Sequence, residues 1–390
     1  MQIIHVIYLS IFFISLTGCR DRNIFSDGER DVQHVKVFYQ EGKYGGWPAN
    51  WGMWSWDEEI LVGFTHADHK EGGSSHTYDV KTGLAKFARS LDGGNSWSVE
   101  DGYDAGITEA TWEHNIGDKS KPSKMLTTSI DFTHPDLALT FRTCHVLDGP
   151  SSFYYSYNRG RNWEGAYKLL VDFPGRNPVG IVTRTDYIID GQNELTAFLT
   201  VGFREGDNNW REVAAVRTTD GGKTWEHLSW IGPRGVNSIM PSSARLDPSR
   251  IITIIRRTKP PRMVSYLSED NGLTWAQLDD PVQVDANGHP PALIKLNDGR
   301  LCLVYLLRNA ETVPEGIGLY VTFSSDNGQT WDIPVQLRGN DGANWDIGYP
   351  RAVQLPDGNV VALYYYNNAN DQIRPPYRYI AATLFNPDNY

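Results

Sequence analysis

The chain has 390 residues and a formal net charge of -11, from 36 Lys and Arg against 47 Asp and Glu. That balance argues against a nucleic-acid backbone as partner, although arginines gathered locally can still bind a small anion. Aromatic residues are plentiful, 13 Trp and 20 Tyr, and 37 Gly supply turns, which suits one large all-β domain.

Residues 3–16 are almost wholly apolar and run into Leu16-Thr17-Gly18-Cys19. The run is short for a spanning helix. The tetrad resembles a bacterial lipobox, whose Cys is lipidated and becomes the first residue. A signal peptide over 1–18 and a polar tether over 19–34 are expected, with the folded domain over 35–390. Cys19 would then hold the protein to a membrane of the cell envelope, at the periplasm or the cell surface. The alternative is a short membrane anchor that happens to contain a Cys. The other two cysteines, Cys144 and Cys302, fall in different repeats and are expected as free, buried thiols.

Five copies of one phrase follow, ending at Trp97, Trp163, Trp225, Trp275 and Trp331. The consensus is Ser/Thr-x-Asp-x-Gly-x-Thr-Trp. The Asp can accept backbone N–H bonds within its own turn. The Gly supplies a positive φ, and the Trp buries a large ring. Recurrence at the spacing of one small sheet signals a repeat architecture.

Strands are expected in chain order around these turns. Blade 1 begins near Trp47, with strands over 54–56, 60–64 and 85–89. Blade 2 has 130–132, 137–143 and 153–157. Blade 3 has 181–189, 195–201 and 213–217. Blade 4 has 239–246, 251–256 and 263–267. Blade 5 has 291–296, 301–306 and 318–323. Blade 6 has 349–355, 360–366 and 379–385, and no copy of the phrase. The apolar stretch 35–39 precedes blade 1 and is expected to supply the missing outer strand of blade 6, closing the ring so that no sheet edge stays bare.

The phrase is the Asp-box, and the chain resembles the sialidase superfamily over nearly everything after residue 35. The resemblance implies a six-bladed β-propeller of four-stranded antiparallel blades, with each box a structural turn between the third and fourth strands.

In a propeller the inner strands line the axis, and their starts converge on one central depression. That geometry nominates Asn50, Trp51 and His66 from blade 1, Arg142 from blade 2, Arg184 from blade 3 and Arg256 from blade 4. Blade 5 offers His289 and Arg308, and blade 6 offers Asp346, Tyr349 and Arg351. Arg grips carboxylates with a planar fork, and aromatic faces stack on sugars, so the set suggests a glycan bearing an acidic group. For any one Arg taken alone, a rim salt bridge is the alternative. Thr133-His134-Pro135-Asp136 is expected as the hairpin turn of blade 2, so His134 reaches the axis only if the first strand is short.

Sialidases use three arginines on the substrate carboxylate, a Tyr nucleophile assisted by a Glu, and an Asp acid/base. The stretch Gly348-Tyr349-Pro350-Arg351 is similar to the one carrying that Tyr, and Arg256 is similar to one of the three arginines, with Arg308 a second. Blade 1 has Trp47-Pro48 where the family places its first Arg, and blade 4 has Met240-Pro241 where it places its Glu. The loop that carries the Asp acid/base in the family is rich in His here. His66, His76 and Asp79 are therefore candidates for moving the proton, since imidazole titrates near neutral pH. No ligand spacing in that loop is of the kind that holds a metal, and no cofactor is expected.

Three functions remain open on the sequence. One is a glycoside hydrolase removing a terminal, acidic sugar. Another is a lyase acting on uronic-acid polysaccharides, and the third is a non-catalytic glycan-binding lipoprotein. A monomer is expected in each case.

Overall fold

The Asp-boxes fold alike because each hydroxyl and carboxylate closes the same small circuit. In the first, the Ser90 hydroxyl donates to Asp92 and accepts the Gly94 amide, both at 2.8 Å, and Asp92 accepts the Ser96 amide at 2.9 Å. Ser268 and Asp270 repeat the circuit in blade 4, as do Ser324 and Asp326 in blade 5. Asn158 replaces the Asp in blade 2 and accepts the Asn162 amide at 2.9 Å in the same way. Hydroxyl bonds from Ser96, Thr274 and Thr330 hold Asp92, Asp270 and Asp326 below the usual carboxylate range. Carboxylates committed to this circuit are structural.

Three of the box Trp residues pack back onto the blade before them. Trp163 stacks on Phe87 at 5.3 Å, Trp225 lies 5.8 Å from Phe141, and Trp275 donates to the Ser229 hydroxyl at 3.0 Å. The repeat is therefore a joint between blades as well as a turn within one.

The computed structural model describes residues 31–390 except 72–75, 183, 285–288, 309–315, 340 and 370–375. These residues form a six-bladed propeller. Blade 4 is Ser238–Arg245, Ile251–Thr258, Pro261–Ser268 and Ala276–Gln277; blade 5 is Ala292–Lys295, Leu301–Leu307, Gly318–Ser324 and Val335–Gly339. Blade 6 is Gly348–Gln354, Val360–Tyr366 and Tyr379–Phe385, completed by Val32–Phe38. That closing strand runs antiparallel, with Val32 opposite Phe385 and Val35 opposite Ala382. It starts at Val32, inside the stretch expected as tether. The expected leader 1–18 and Cys19 lie outside the described residues.

Blades 1 to 3 depart from four plain strands at their inner edges. In blade 1 the inner strand is split into Lys43–Gly46 and Met53–Trp56, both paired with Glu59–Asp68. In blade 3 the expected continuous strand over 181–189 is two short pieces, Gly180–Ile181 and Tyr187–Ile189. In blade 2 the expected strand over 130–132 is absent. Its backbone turns outward instead, Ile130 donating to Gly221 O at 2.9 Å and Phe132 to Gln192 O at 2.7 Å. Cys302 is buried as expected, whereas Cys144 is only half-buried, and both are free.

A one-turn helix, Pro48–Trp51, fills the break in blade 1 and is buried throughout. Gly63 lets it lie against the sheet, because a Cβ there would stand 2.6 Å from the Trp51 Cβ. The last carbonyls of a helix need outside donors, and here three other blades supply them. Arg351 of blade 6 donates to Ala49 O at 2.7 Å, and Arg142 of blade 2 donates to Asn50 O at 3.0 Å. Thr140 of blade 2 and Thr185 of blade 3 both donate to Trp51 O at 2.6 Å. The helix is thus a knot tied across the hub.

Candidate active site

Three inner edges carry the same irregularity. Trp47-Pro48, Met240-Pro241 and Tyr349-Pro350 each place the first residue in the left-handed region, at φ 58, 56 and 55. A residue before proline is ordinarily extended, and a side chain at positive φ costs about 1–2 kcal/mol. In blades 4 and 6 the irregularity is a bulge that shifts the register, between Ile239 and Pro241 and between Gly348 and Arg351. Bulges of this kind re-aim a side chain.

Tyr349 is placed by such a bulge among arginines. Arg256 Nη1 stands 3.4 Å from its hydroxyl, and the Arg308 guanidinium lies 5.4 Å from its ring centre. Burial would raise the phenol, but Arg256 and Arg308, with Arg184 beyond, outweigh it and hold the phenol below its ordinary value. Arg256 also points at the Met240 sulfur, 3.8 Å away. Gly348 makes room for Arg308, since a Cβ there would meet its Nη2 at 2.5 Å.

Beside this basic group stands a buried acid–imidazole pair. Asp346 is 1% exposed. It takes a bond from His76 Nδ1 at 2.6 Å, from the Tyr365 hydroxyl at 2.8 Å and from Arg378 Nε at 2.9 Å. Burial works against its charged form, yet the His76 bond and the charge of Arg378 outweigh burial and keep it below the usual carboxylate range. An ionised carboxylate only accepts, so Nδ1 of His76 carries the proton and Nε2 is the nitrogen left to exchange one. The two groups meet through Tyr365, whose ring lies 5.8 Å from that of Tyr349. Trp47 stands 5.0 Å from His76 and 5.9 Å from Trp112, and Arg184 lies 5.7 Å over Trp112.

The structure thus gathers Tyr349, Arg256, Arg308, Arg184, Asp346 and His76. Most of the other nominated residues are engaged in structural contacts. Arg142 and Asn50 are held by Glu113, which bonds Arg142 Nη2 and Asn50 Nδ2, while the Arg142 guanidinium lies 3.3 Å over the Trp51 ring. Arg351 serves the helix carbonyls and also bonds Thr185 O. His66 packs edge-on against Phe38 at 5.3 Å, and burial with Lys86 and Lys43 pushes it down to about 4, so it is neutral at physiological pH. Asp79 caps a short turn by accepting the Lys81 amide at 3.0 Å, with Lys70 at 3.6 Å. His134 stacks on Tyr157 at 4.4 Å in the hairpin turn of blade 2. His289 is buried ahead of the inner strand of blade 5. Among the described residues no group of three His, Cys, Asp or Glu is arranged to hold a metal ion.

Sequence reasoning missed Trp47, Trp112, Glu113, Tyr365 and Arg378. The X-Pro step shared by the inner edges of blades 1, 4 and 6 is a signal that points to Trp47. Glu113 lies in the irregular stretch 102–137, where no period marks it. A groove of about 440 Å³ also exists, lined by Glu58, Asp92, Asp357 and Asn389 among others. Its lining comes from an Asp-box, strand turns, the closing strand and the C-terminal turn, and does not include Tyr349.

The family described as BNR repeat-like domain matches residues 139–362. A sialidase of Vibrio cholerae serotype O1 is 26% identical over 234 residues, which are 51% of this chain and 28% of the sialidase. The matched stretch therefore spans less than a third of that relative. A protein of unknown function from Dyadobacter fermentans superposes with a TM-score of 0.69 at 18% identity, covering 91% of this chain and 99% of that one. A Hadza microbial sialidase gives 0.61 at 13%, covering 89% and 66%, and an α-L-arabinofuranosidase of Fusarium graminearum gives 0.55 at 11%, covering 92% and 98%. At such identities the likeness is one of fold, and the fold leaves the sugar open. With more than half of its length matched, from blade 2 into blade 6, the chain belongs to the BNR repeat-like family, as a six-bladed propeller of the sialidase superfamily.

Proposed function

We propose that the protein is an exo-acting glycoside hydrolase that removes a terminal acidic sugar. The observation that carries this reading is the Tyr349 phenol at 3.4 Å from Arg256, beside Arg308 and one aromatic ring from the His76–Asp346 pair. A phenol is a poor nucleophile at its ordinary pKa and needs nearby positive charge or a base. Arg256 and Arg308 supply the charge and also suit a substrate carboxylate.

In this reading Tyr349 gives up its proton to water within that field. The phenolate then forms a bond to the anomeric carbon as the glycosidic C–O bond breaks. His76, protonated at Nε2 as well as Nδ1, is an imidazolium held by Asp346; it donates the Nε2 proton to the departing oxygen and becomes neutral imidazole. Water, deprotonated by His76, then displaces Tyr349 and restores both groups. This differs from the sialidase pattern in using an Asp-held His for the proton and two Arg in place of a Glu beside the Tyr. Lipidation at Cys19 would place the activity at the cell envelope.

A screen of aryl glycosides and acidic oligosaccharides tests the reading. Tyr349→Phe is expected to lower kcat about a hundredfold or more while the fold is kept, and unchanged turnover would defeat the proposal. The absence of any carboxylate bonded to the Tyr349 hydroxyl among the described residues favours a second reading, eliminative cleavage at a uronic acid. An unsaturated product absorbing in the ultraviolet marks that route. Glycan binding without turnover in the wild-type protein marks a binding lipoprotein.

A further inference from the structure

Trp345 is 44% exposed, whereas Trp47 and Tyr365, which also flank the His76–Asp346 pair, are 1% and 0% exposed. A single exposed apolar residue ordinarily requires no explanation; the mounting of this one does. Asn344 Oδ1 accepts the Asp346 amide, Arg378 Nη2 and Asn367 Nδ2, each at 3.0 Å. Asp346, on the other side of Trp345, is buried and bonded to three side chains. A broad indole face is thus held in water on a backbone pinned before and after it. Its ring stands 5.7 Å from His76.

Such a face suits the apolar side of a sugar ring, and its rigidity limits the entropy lost on binding. The neighbour identifies which sugar. In the proposed hydrolysis His76 protonates the departing oxygen, so a surface beside His76 lies on the leaving-group side of the scissile bond. We infer that Trp345 is the platform for the first sugar of the leaving group. The preferred ligand is then an acidic sugar glycosidically joined to a further sugar, rather than an acidic monosaccharide with a small substituent. This inference rests on the hydrolase reading for its orientation.

The test uses the full chain in a Tyr349→Phe background, titrated by calorimetry with two pairs of probes. One pair is 3′-sialyllactose and methyl α-sialoside; the other is a glucuronic-acid-terminated disaccharide and methyl glucuronide. Adding Trp345→Ala is expected to reduce the preference for the oligosaccharide over the methyl glycoside about tenfold in each pair. Trp345→Phe is expected to keep most of that preference. Equal losses for both members of a pair, no loss, or no binding of any probe overturns the platform. The hydrolase reading is judged separately, by turnover in the wild-type protein against Tyr349→Phe. A selective loss on Trp345→Ala together with undiminished turnover in Tyr349→Phe would keep the platform and remove the nucleophile.

Discussion

Asp186 offers a measurable consequence of charge at the hub. It is 6% exposed and accepts the Ser243 hydroxyl at 2.8 Å and the Ser243 amide at 3.3 Å. The charged group facing it is Arg351. Burial pushes its carboxyl up to about 7, with Arg351 and Ser243 pulling back only in part. The folded protein therefore keeps a proton that the unfolded chain, with an Asp pKa of about 4, has already released. Stability from this group is whole below about pH 4 and is lost as pH rises through about 7. A displacement from near 4 to about 7 corresponds to roughly 4 kcal/mol at most, or roughly 5 °C in Tm for a chain of this size. Asp186→Asn cannot ionise, so its Tm is expected to exceed that of the wild type by a margin that widens from pH 4 to pH 7 and then levels. Calorimetric scans of both proteins from pH 4 to pH 8.5 measure the margin. A margin that stays flat, or that widens toward acid, refutes the reasoning.

Two further outcomes are expected. Glu113→Gln leaves the buried Arg142 guanidinium without its carboxylate and should cost about 3–5 kcal/mol in urea unfolding, most of it recovered when Arg142→Met is added. Gly348→Ala drives a Cβ toward Arg308 Nη2 at a φ of 129; kcat/KM for an acidic substrate is expected to fall about tenfold or more, and unchanged kinetics would remove Arg308 from the site.

Much of the fold was legible because its signals are local. Each Asp-box writes its own hydrogen bonds, and the unmatched apolar stretch near Val35 was enough to place the closing strand. The site was legible only in part. Positions along the inner strands nominated Tyr349, Arg256, Arg308 and Asp346, the likeness of the His-rich loop to the family's acid/base loop nominated His76, and these five are brought together. Position along a strand cannot tell whether a charge is already satisfied. Arg142 and Arg351 were read as ligand-binding, yet their partners are Glu113, from a stretch without pattern, and the carbonyls of a helix too short to leave a periodic trace. His66 failed for a different reason, since alternation along the strand turns it toward Phe38.

The pairing of Val32–Phe38 with Tyr379–Phe385 has a kinetic price. Among the described strands the first to be synthesised finds its partner only in the last. Until then both edges stay open to strangers, and the search that joins them spans the widest sequence separation of any strand pair among the described residues, which makes slow maturation the natural expectation. Deleting the residues after Arg378 would leave every Asp-box intact and still deny the circle its clasp.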